Sequence, residues 1–325
     1  MQLMPLFVSI FFGFVPMFFF AAFIYWLDRY EKEPKALLGA AFFWGVGIAA
    51  GGAFIINTVL GMGIYIFTGS ESAAEFGTAS IVAPLVEEFL KGLAVMIVFF
   101  LFHKEFDSIL DGIIYAGIVA LGFAATENAF YIYDRGFNEG GWTGLWILVF
   151  IRVILVGWQH PFYTAFTGIG FAISRTSPNL LMKLLAPLAG YAVAVMAHAF
   201  HNTFGSLIGG FEGLAFGTIL DWFGWGIMLA FIIWMISHER SIMRKQLHEE
   251  VTNGLITANH YQRALSPWTM SLAPFSGRSA MRFFQACAEL AHKKEQFARY
   301  GDEKGNVAII ESLRRELAQL APMVK

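Results

Sequence analysis

Long apolar segments separated by short polar connections dominate residues 1–237. Because an α-helix rises about 1.5 Å per residue, about 20 apolar residues cross the hydrocarbon core of a bilayer. The pattern predicts seven transmembrane helices, at residues 4–27, 37–67, 78–102, 109–133, 143–173, 184–208 and 216–237. The second and fifth segments are long for one straight span. Their glycines and a proline therefore predict tilt, kinks or an interfacial stretch.

The pattern changes after residue 237 to mixed charge with helical periodicity. Residues 278–300 and 304–320, joined by a glycine-containing turn, predict a soluble helical hairpin. The expected fold is therefore all-α: a polytopic membrane helical bundle at residues 1–237, followed by a helical tail at residues 238–325. We interpret the tail as a packing or docking module.

Composition excludes a water-soluble globule, since 57% of residues are apolar and only 14% are charged. The net charge of −2, without a long Lys/Arg run, gives no reason to expect a nucleic-acid partner. The single cysteine, Cys287, excludes an intrachain disulfide and zinc sites built on several cysteines. The first apolar segment lacks a basic stretch and a small-residue cleavage site, so we expect a retained helix.

Basic residues are unevenly distributed among the predicted connections. Those after the first, third and fifth spans contain Arg29, Lys32, Lys35, Lys104, Arg175 and Lys183. The alternate connections contain only Arg135. The positive-inside rule therefore predicts an integral membrane protein with its N-terminus outside and its tail in the cytoplasm.

Polar and ionisable residues recur inside four of the predicted spans, where each costs several kcal/mol unless it is paired or hydrated. They are Glu87, Glu88, Lys91, Glu127, Asn128, Arg152, His160, His198, His201 and Asn202. Helical rise places Glu87, Glu127 and His198 in one layer, about 9 to 15 Å below the outer surface. The sequence thus predicts one buried polar site built from four helices.

Helical spacing sorts these side chains. Glu87 and Glu88 lie four and three residues before Lys91, so the lysine can pair with either carboxylate. Two adjacent carboxylates cannot both ionise cheaply in a low dielectric, so we expect one to exchange a proton with water and act as a general base. The same spacing places three polar side chains of the sixth span on one face: His198, His201 and Asn202.

Four residues also admit a structural interpretation. Arg152 lies near the start of its span and either extends to the outer interface or faces the site. His201 alone is typical of a hydrogen-bonded polar group between helices. Asp111 and Asp221 lie at span ends, where we interpret them as interfacial or capping residues.

At these positions the sequence resembles the PrsW-type intramembrane proteases, whose named member cleaves a membrane-bound anti-sigma factor. The resemblance rests on DRYEKEP (28–34), VEEFLKG (86–92), DGIIYAGIVALGFAATENAFY (111–131), RVILVGWQHPFYTAFTGIG (152–170) and HAFHN (198–202). The last four lie inside predicted spans and follow one order along the chain. The resemblance implies an endopeptidase that hydrolyses a peptide bond of a membrane-protein substrate, with an anti-sigma-type factor as the candidate substrate.

The layout is more distantly similar to the CAAX-prenyl endopeptidase superfamily, in which paired glutamates, an FxxxH motif and an HxxxN motif surround the active water. Here the second motif runs from Phe123 to Glu127, so a glutamate stands where those relatives carry histidine.

Two mechanisms suit these residues. In the metal-free one, Glu87 or Glu88 activates water, and His198 with Asn202 stabilises the oxyanion. Glu127 and Lys91 tune the base, while Asn128 and His201 support the site. In the metal mechanism, His160, His198 and Glu88 bind Zn²⁺ and a second glutamate is the base. The family is conventionally described as a metalloprotease, which favours the metal.

Two other functions fit a cluster of buried ionisable groups: a transporter with a proton or ion relay, and a non-catalytic membrane scaffold or chaperone. Many transporters contain repeated halves, and this sequence has no internal repeat. The protease interpretation is therefore preferred, with the lipid bilayer and a membrane-protein substrate as partners. The sequence predicts no oligomeric state.

Overall fold

The computed structural model describes residues 3–28, 30, 32–102, 105–106, 108–208, 210–302 and 305–324. Arg29, Glu31 and Lys104 of the predicted connections, and the predicted helix start at Lys304, lie outside the described residues. The part that is described forms helices and no strands, so the predicted all-α fold class is confirmed.

Fourteen α-helices follow one another along the described chain. They are α1 (Leu3–Leu27), α2 (Lys35–Phe43), α3 (Ala50–Thr68), α4 (Glu71–Gly77), α5 (Ala83–Leu101), α6 (Ile109–Tyr131), α7 (Glu139–Val149), α8 (Gln159–Thr176), α9 (Leu180–Ile208), α10 (Gly210–Thr252), α11 (Ala258–Ala264), α12 (Thr269–Leu272), α13 (Arg278–Tyr300) and α14 (Asn306–Leu320). Short 3₁₀ turns at Ala273–Ser276 and Ala321–Met323 follow α12 and α14.

Wide π-helical turns interrupt several of these helices. They occupy Trp44–Ala49, Thr78–Val82, Ile132–Asn138 and Phe150–Leu155. Such turns are often found at functional sites because each one re-aims the side chains that follow it. The last of the four carries Arg152, one of the predicted site residues.

The chain divides into two compact units. The body unit comprises Met1–Tyr25 and Glu33–Leu229, and the tail unit comprises Trp26–Lys32 and Ala230–Lys325. The last two residues of α1 and the connection up to Lys32 therefore belong to the tail unit.

Among the described residues, five helical stretches are long and apolar enough to cross a membrane. They are Leu3–Leu27, Lys35–Thr68, Ile109–Thr176, Leu180–Phe204 and Ala215–Thr252. The third runs for 68 residues through α6, α7 and α8, and it is broken at Gly141, where φ is 60° and ψ is −152°. The chain is thus a polytopic helical membrane protein, while the count of seven spans stays a prediction.

Helix α6 forms the centre of the body unit, and most of its residues are buried. Its N-terminus is fixed by a capping box, in which the Ser108 hydroxyl accepts from the Asp111 backbone N–H at 3.2 Å and the Asp111 carboxylate accepts from the Ser108 N–H at 2.6 Å. The capping role predicted for Asp111 is confirmed.

Glycines let the backbone of α6 approach its neighbours closely. A Cβ added to Gly168 of α8 would lie 2.0 Å from the carbonyl oxygen of Gly112 in α6. A Cβ on Gly122 of α6 would lie equally close, 2.0 Å from the carbonyl oxygen of Phe42 in α2. Small residues at such crossings are the usual basis of helix association in membranes. These contacts set the register in which α6 and α8 present their polar residues.

The tail unit has its own hydrophobic core, which includes Tyr30, Phe283, Cys287 and Leu317. Its α13 and α14 pack against each other, and their bounds agree with the predicted hairpin over the described residues. The nearly inaccessible Glu250 accepts hydrogen bonds from Lys294 and Arg314, both at 2.7 Å. The two helices are thus joined to α10 by paired charges.

We expect Gly168→Ala to destabilise the protein, because the added methyl group would overlap the Gly112 carbonyl oxygen. Overpacking of this kind typically costs about 1–3 kcal/mol. The measurement is the thermal unfolding midpoint in detergent, with Gly47→Ala as the matched control, since a Cβ on Gly47 meets no atom within 4 Å. Equal midpoints for the two variants would contradict the close crossing of α6 and α8.

Candidate active site

Glu88 is fully buried at the centre of the polar site, with 0% of its surface exposed. Its Oε1 accepts from the Lys91 ammonium at 2.7 Å and contacts Nδ1 of His198 at 3.0 Å. Its Oε2 accepts from the Thr164 hydroxyl at 2.8 Å. The donors come from α5, α8 and α9, so one carboxylate joins three helices. Both of its oxygens are occupied.

Glu87, the neighbouring carboxylate, is also buried, but only one of its two oxygens accepts a hydrogen bond from the described residues. Its Oε1 accepts from the Asn57 amide at 3.3 Å. Its Oε2 accepts no hydrogen bond from the residues that the structure describes. This oxygen lies 3.9 Å from Nε2 of His198 and 4.0 Å from the Lys91 ammonium. Glu87 therefore offers a lone pair that Glu88 does not.

The hydrogen-bond partners fix the tautomers of the two site histidines. Since the Glu88 carboxylate only accepts, Nδ1 of His198 carries the hydrogen and its Nε2 keeps a lone pair. The Lys91 ammonium, which only donates, lies 3.2 Å from Nδ1 of His160. His160 therefore donates from Nε2 to Glu127 at 2.8 Å. The two imidazole rings lie 5.3 Å apart at an interplanar angle of 80°.

Arg152 extends the site toward α6. Its guanidinium donates to Oε2 of Glu127 and, at 2.9 Å, to the amide oxygen of Asn128. The same group lies 4.5 Å from the ring centroid of Tyr131. Of the two interpretations of Arg152, the structure selects the one in which it faces the site. Glu127 is thereby compensated by a cation and by His160.

The donor atoms of Glu87, His160 and His198 lie within 4.8 Å of one another. Ligands about 2.1 Å from one zinc ion are at most about 4.2 Å apart, so small side-chain shifts would close this set. Two imidazoles and a carboxylate are a common catalytic zinc set. Glu87 and His198 present free lone pairs, and His160 presents the one that now accepts from Lys91. These residues therefore fit a metal.

The predicted metal set names Glu88, whereas the group whose donor atoms converge contains Glu87. Both oxygens of Glu88 are engaged, whereas Oε2 of Glu87 faces the histidines. A carboxylate that holds the second nitrogen of a ligating histidine orients that ligand. Glu88 stands in this relation to His198.

Two predicted residues of α9 point their polar groups at other partners. The Asn202 amide donates to the carbonyl oxygen of Ala79 at 2.9 Å, so this hydrogen is not directed at an oxyanion beside His198. Nδ1 of His201 lies 2.7 Å from Oδ2 of Asp221. Of the three α9 residues predicted to share a face, His198 contacts the site glutamates, whereas His201 and Asn202 bind other groups.

Asp221 is buried and lies inside α10 rather than at a helix end, so its interpretation as a capping residue is wrong. It accepts from Gln159 at 2.8 Å and from the Tyr163 hydroxyl at 2.9 Å. The ring of Tyr163 stacks on His198 at 5.1 Å and 21°. Asp221 and Tyr163 thus form a polar support behind the catalytic histidine candidate.

Sequence reasoning missed four side chains that contact the site. They are Asn57, Gln159, Tyr163 and Thr164. Asn57 is a single amide within the apolar stretch AFIINTVLGM, a signal that could have identified it. The other three follow or surround His160 on the same helix, where periodicity does not distinguish site residues from packing residues.

Comparison with known proteins places this site inside a recognised sequence family. The model of the family described as "PrsW family intramembrane metalloprotease" matches residues 33–236, which contain every site residue named above. No solved structure matches the chain.

Curated relatives of this chain carry the name "Protease PrsW". The Geobacillus kaustophilus protein is 36% identical over 164 residues, covering 50% of this chain and 65% of the relative. The Oceanobacillus iheyensis protein is 29% identical over 118 residues, 36% of this chain and 49% of the relative. The Bacillus subtilis protein is 24% identical over 181 residues, 54% of this chain and 75% of the relative. The chain thus spans less than two thirds of the first two relatives.

We expect Lys91→Met to destabilise the protein strongly, because it leaves the buried Glu88 carboxylate without its cation. Breaking a buried ion pair by removing one partner costs about 3–5 kcal/mol. The measurement is the thermal midpoint of the purified protein in detergent. Lys183→Met, at an exposed position, is the control. The double variant Lys91→Met/Glu88→Gln is expected to recover much of the loss, and a single variant as stable as wild type would contradict the assignment.

Proposed function

The chain belongs to the PrsW family of intramembrane metalloproteases, and from this premise we propose that it hydrolyses a peptide bond of a membrane-protein substrate. One observation carries the proposal. Glu87, His160 and His198 bring three metal-binding or proton-accepting groups within 4.8 Å of one another, and all three are buried. Ionisable residues at such depth are expensive, which favours a functional reason for them.

Glu87 and His198 can hold the attacking water between them. Oε2 of Glu87 and Nε2 of His198 lie 3.9 Å apart, and a small outward shift of the two side chains would admit a water that hydrogen-bonds to both. In the metal-free form, Glu87 accepts the proton as the water oxygen bonds to the scissile carbonyl carbon. The same carboxylic acid then gives that proton to the leaving amine as the C–N bond breaks.

A Zn²⁺ ion held by Glu87, His160 and His198 would supply a Lewis acid to the site. Glu87 would then be a ligand, and Glu127 would accept the proton of the attacking water. The described hydrogen bonds of Glu127 engage Oε2, so its Oε1 is the oxygen assigned to this role. Zinc content and activity, measured on the same samples, distinguish the two forms.

Glu88, Lys91 and Thr164 act through His198 and are positioning residues. Glu88 holds Nδ1 of the imidazole, so the lone pair on Nε2 is directed toward Glu87. Lys91 and Thr164 hold Glu88 in turn, at 2.7 and 2.8 Å. The arrangement keeps one imidazole in one tautomer and one orientation.

We propose that the N-terminus lies outside, that the body comprises residues 1–237, and that residues 238–325 form a cytoplasmic tail. The distribution of Lys and Arg among the connections supports this orientation. The substrate class that fits is a single-span membrane protein, and an anti-sigma-type factor is the candidate suggested by the family.

Glu87→Gln is expected to lower cleavage by at least about 100-fold, the usual contribution of a general base. The assay is cleavage of a panel of single-span membrane proteins in proteoliposomes, followed by gel electrophoresis. Glu75→Gln, at an exposed position of the same unit, should cleave at the wild-type rate. Wild-type activity in Glu87→Gln, or a folded wild type that cuts no substrate of the panel, would contradict the proposal.

Zinc affinity should distinguish the roles of Glu87 and Glu88. We expect Glu87→Gln and His198→Ala to lose the stoichiometric zinc of the wild type, since each removes a ligand. Glu88→Gln should retain the site with about 10–100-fold weaker affinity, because it removes only an orienting partner. Metal analysis after dialysis against graded chelator gives the affinities. Zinc lost in Glu88→Gln but kept in Glu87→Gln would reverse the assignment, and full activity of metal-free wild type would select the Glu87 base.

A further inference from the structure

A short segment of the tail unit exposes large apolar side chains. Trp268 is 54% exposed, Leu272 57% and Phe275 89%. All three lie between the end of α11 and the start of α13: Trp268 directly precedes α12, Leu272 ends it and Phe275 lies in the 3₁₀ turn that follows. Exposed apolar residues clustered in this way mark an interaction surface. We name residues 268–275 the apolar turn.

The apolar turn is joined to the end of α1. The ring of Trp268 lies 5.7 Å from the ring of Trp26, the penultimate residue of α1. Three residues earlier, the carbonyl oxygen of Leu265 accepts from the Tyr30 hydroxyl at 3.3 Å. Tyr30 is 1% exposed in the tail core. Two separate contacts therefore hold the start of the apolar turn beside the residues that follow α1.

Length and composition predict that the end of α1 lies at a membrane boundary. Helix α1 is apolar over 25 residues and is long enough to cross a bilayer. The charged stretch DRYEKEP begins directly after it, at residue 28. Tryptophan is enriched at the membrane–water interface, where its ring lies at the level of the headgroups. We therefore expect Trp26 at this level, and the ring of Trp268 lies 5.7 Å from its ring.

We propose that the apolar turn is an interfacial membrane anchor, inserted at the boundary between headgroups and acyl chains of the leaflet in which α1 ends. Trp, Leu and Phe are the side chains that bind this layer. The exposed Arg278 follows them at the start of α13, where it can contact anionic headgroups. The bilayer is favoured over a protein partner because the turn is already fastened to a residue at membrane level.

A spin label at position 275 tests the depth of the turn in the full-length protein. The single native cysteine, Cys287, is buried, and burial raises the pKa of its thiol; Cys287→Ala removes it as a labelling site. Phe275→Cys and, as the matched control, Ser312→Cys on the exposed surface of α14 are then labelled. Each protein is reconstituted in vesicles of phosphatidylethanolamine and phosphatidylglycerol.

Collisions with oxygen, which partitions into lipid, are compared with collisions with a water-soluble nickel chelate. We expect the oxygen-to-nickel ratio to be about tenfold higher at position 275 than at position 312, because an interfacial side chain lies below the headgroup surface. Leu272→Cys provides a second reading of the same depth if Phe275→Cys does not fold.

Two results would overturn the proposal. A ratio at position 275 equal to that at position 312 would place the turn in water. Spin–spin broadening at position 275 that disappears on dilution with unlabelled protein would identify a second copy of the chain as the occupant. A ratio that rises only at positions 272 and 275 identifies the bilayer.

Discussion

The ion pair between Glu88 and Lys91 is the interaction on which the rest of the site depends. Neither side chain is accessible, and a lone charge in apolar surroundings would be unstable. The 2.7 Å pair still requires the second carboxylate oxygen to be satisfied, and Thr164 and His198 complete the set from two other helices. The desolvation cost is thus offset only when α5, α8 and α9 adopt one register. Packing at Gly112 and Gly168 and pairing at Glu88 are consequently parts of the same constraint.

Because the donors around Glu88 bind both of its oxygens, the neighbouring Glu87 keeps one oxygen available for a ligand. Glu87 directly precedes Glu88 on the same helix. Its Oε2 nevertheless lies 3.9 Å from Nε2 of His198 and accepts no hydrogen bond from the described residues. The two adjacent glutamates therefore have different roles because their carboxylates face different groups. Glu88 binds side chains of three helices, including an imidazole, whereas Oε2 of Glu87 is available to bind water or a metal. This division explains why two identical residues side by side are not redundant, and it places the proposed chemistry beside a fixed support.

The sequence predicts those features that depend on local patterns. Hydropathy predicts the membrane helices, mixed charge predicts the tail hairpin, and i,i+3 spacing predicts that Lys91 reaches Glu88. Features that depend on contacts between helices could not be derived in this way. Spacing alone does not show which glutamate has both oxygens hydrogen-bonded, because the donors Thr164 and His198 come from other helices. The position of Asp221 near a predicted span end indicates an interfacial or capping role, whereas in the structure it is a buried acceptor for the Tyr163 hydroxyl inside α10.

The measurement that tests this division most directly is a structure of the zinc-loaded protein in lipid, with the metal located by its anomalous scattering at the zinc edge. The account predicts one peak bounded by Glu87, His160 and His198, with Glu88 still held by Lys91. A zinc peak coordinated by Glu88, with Glu87 turned away from the histidines, would contradict it.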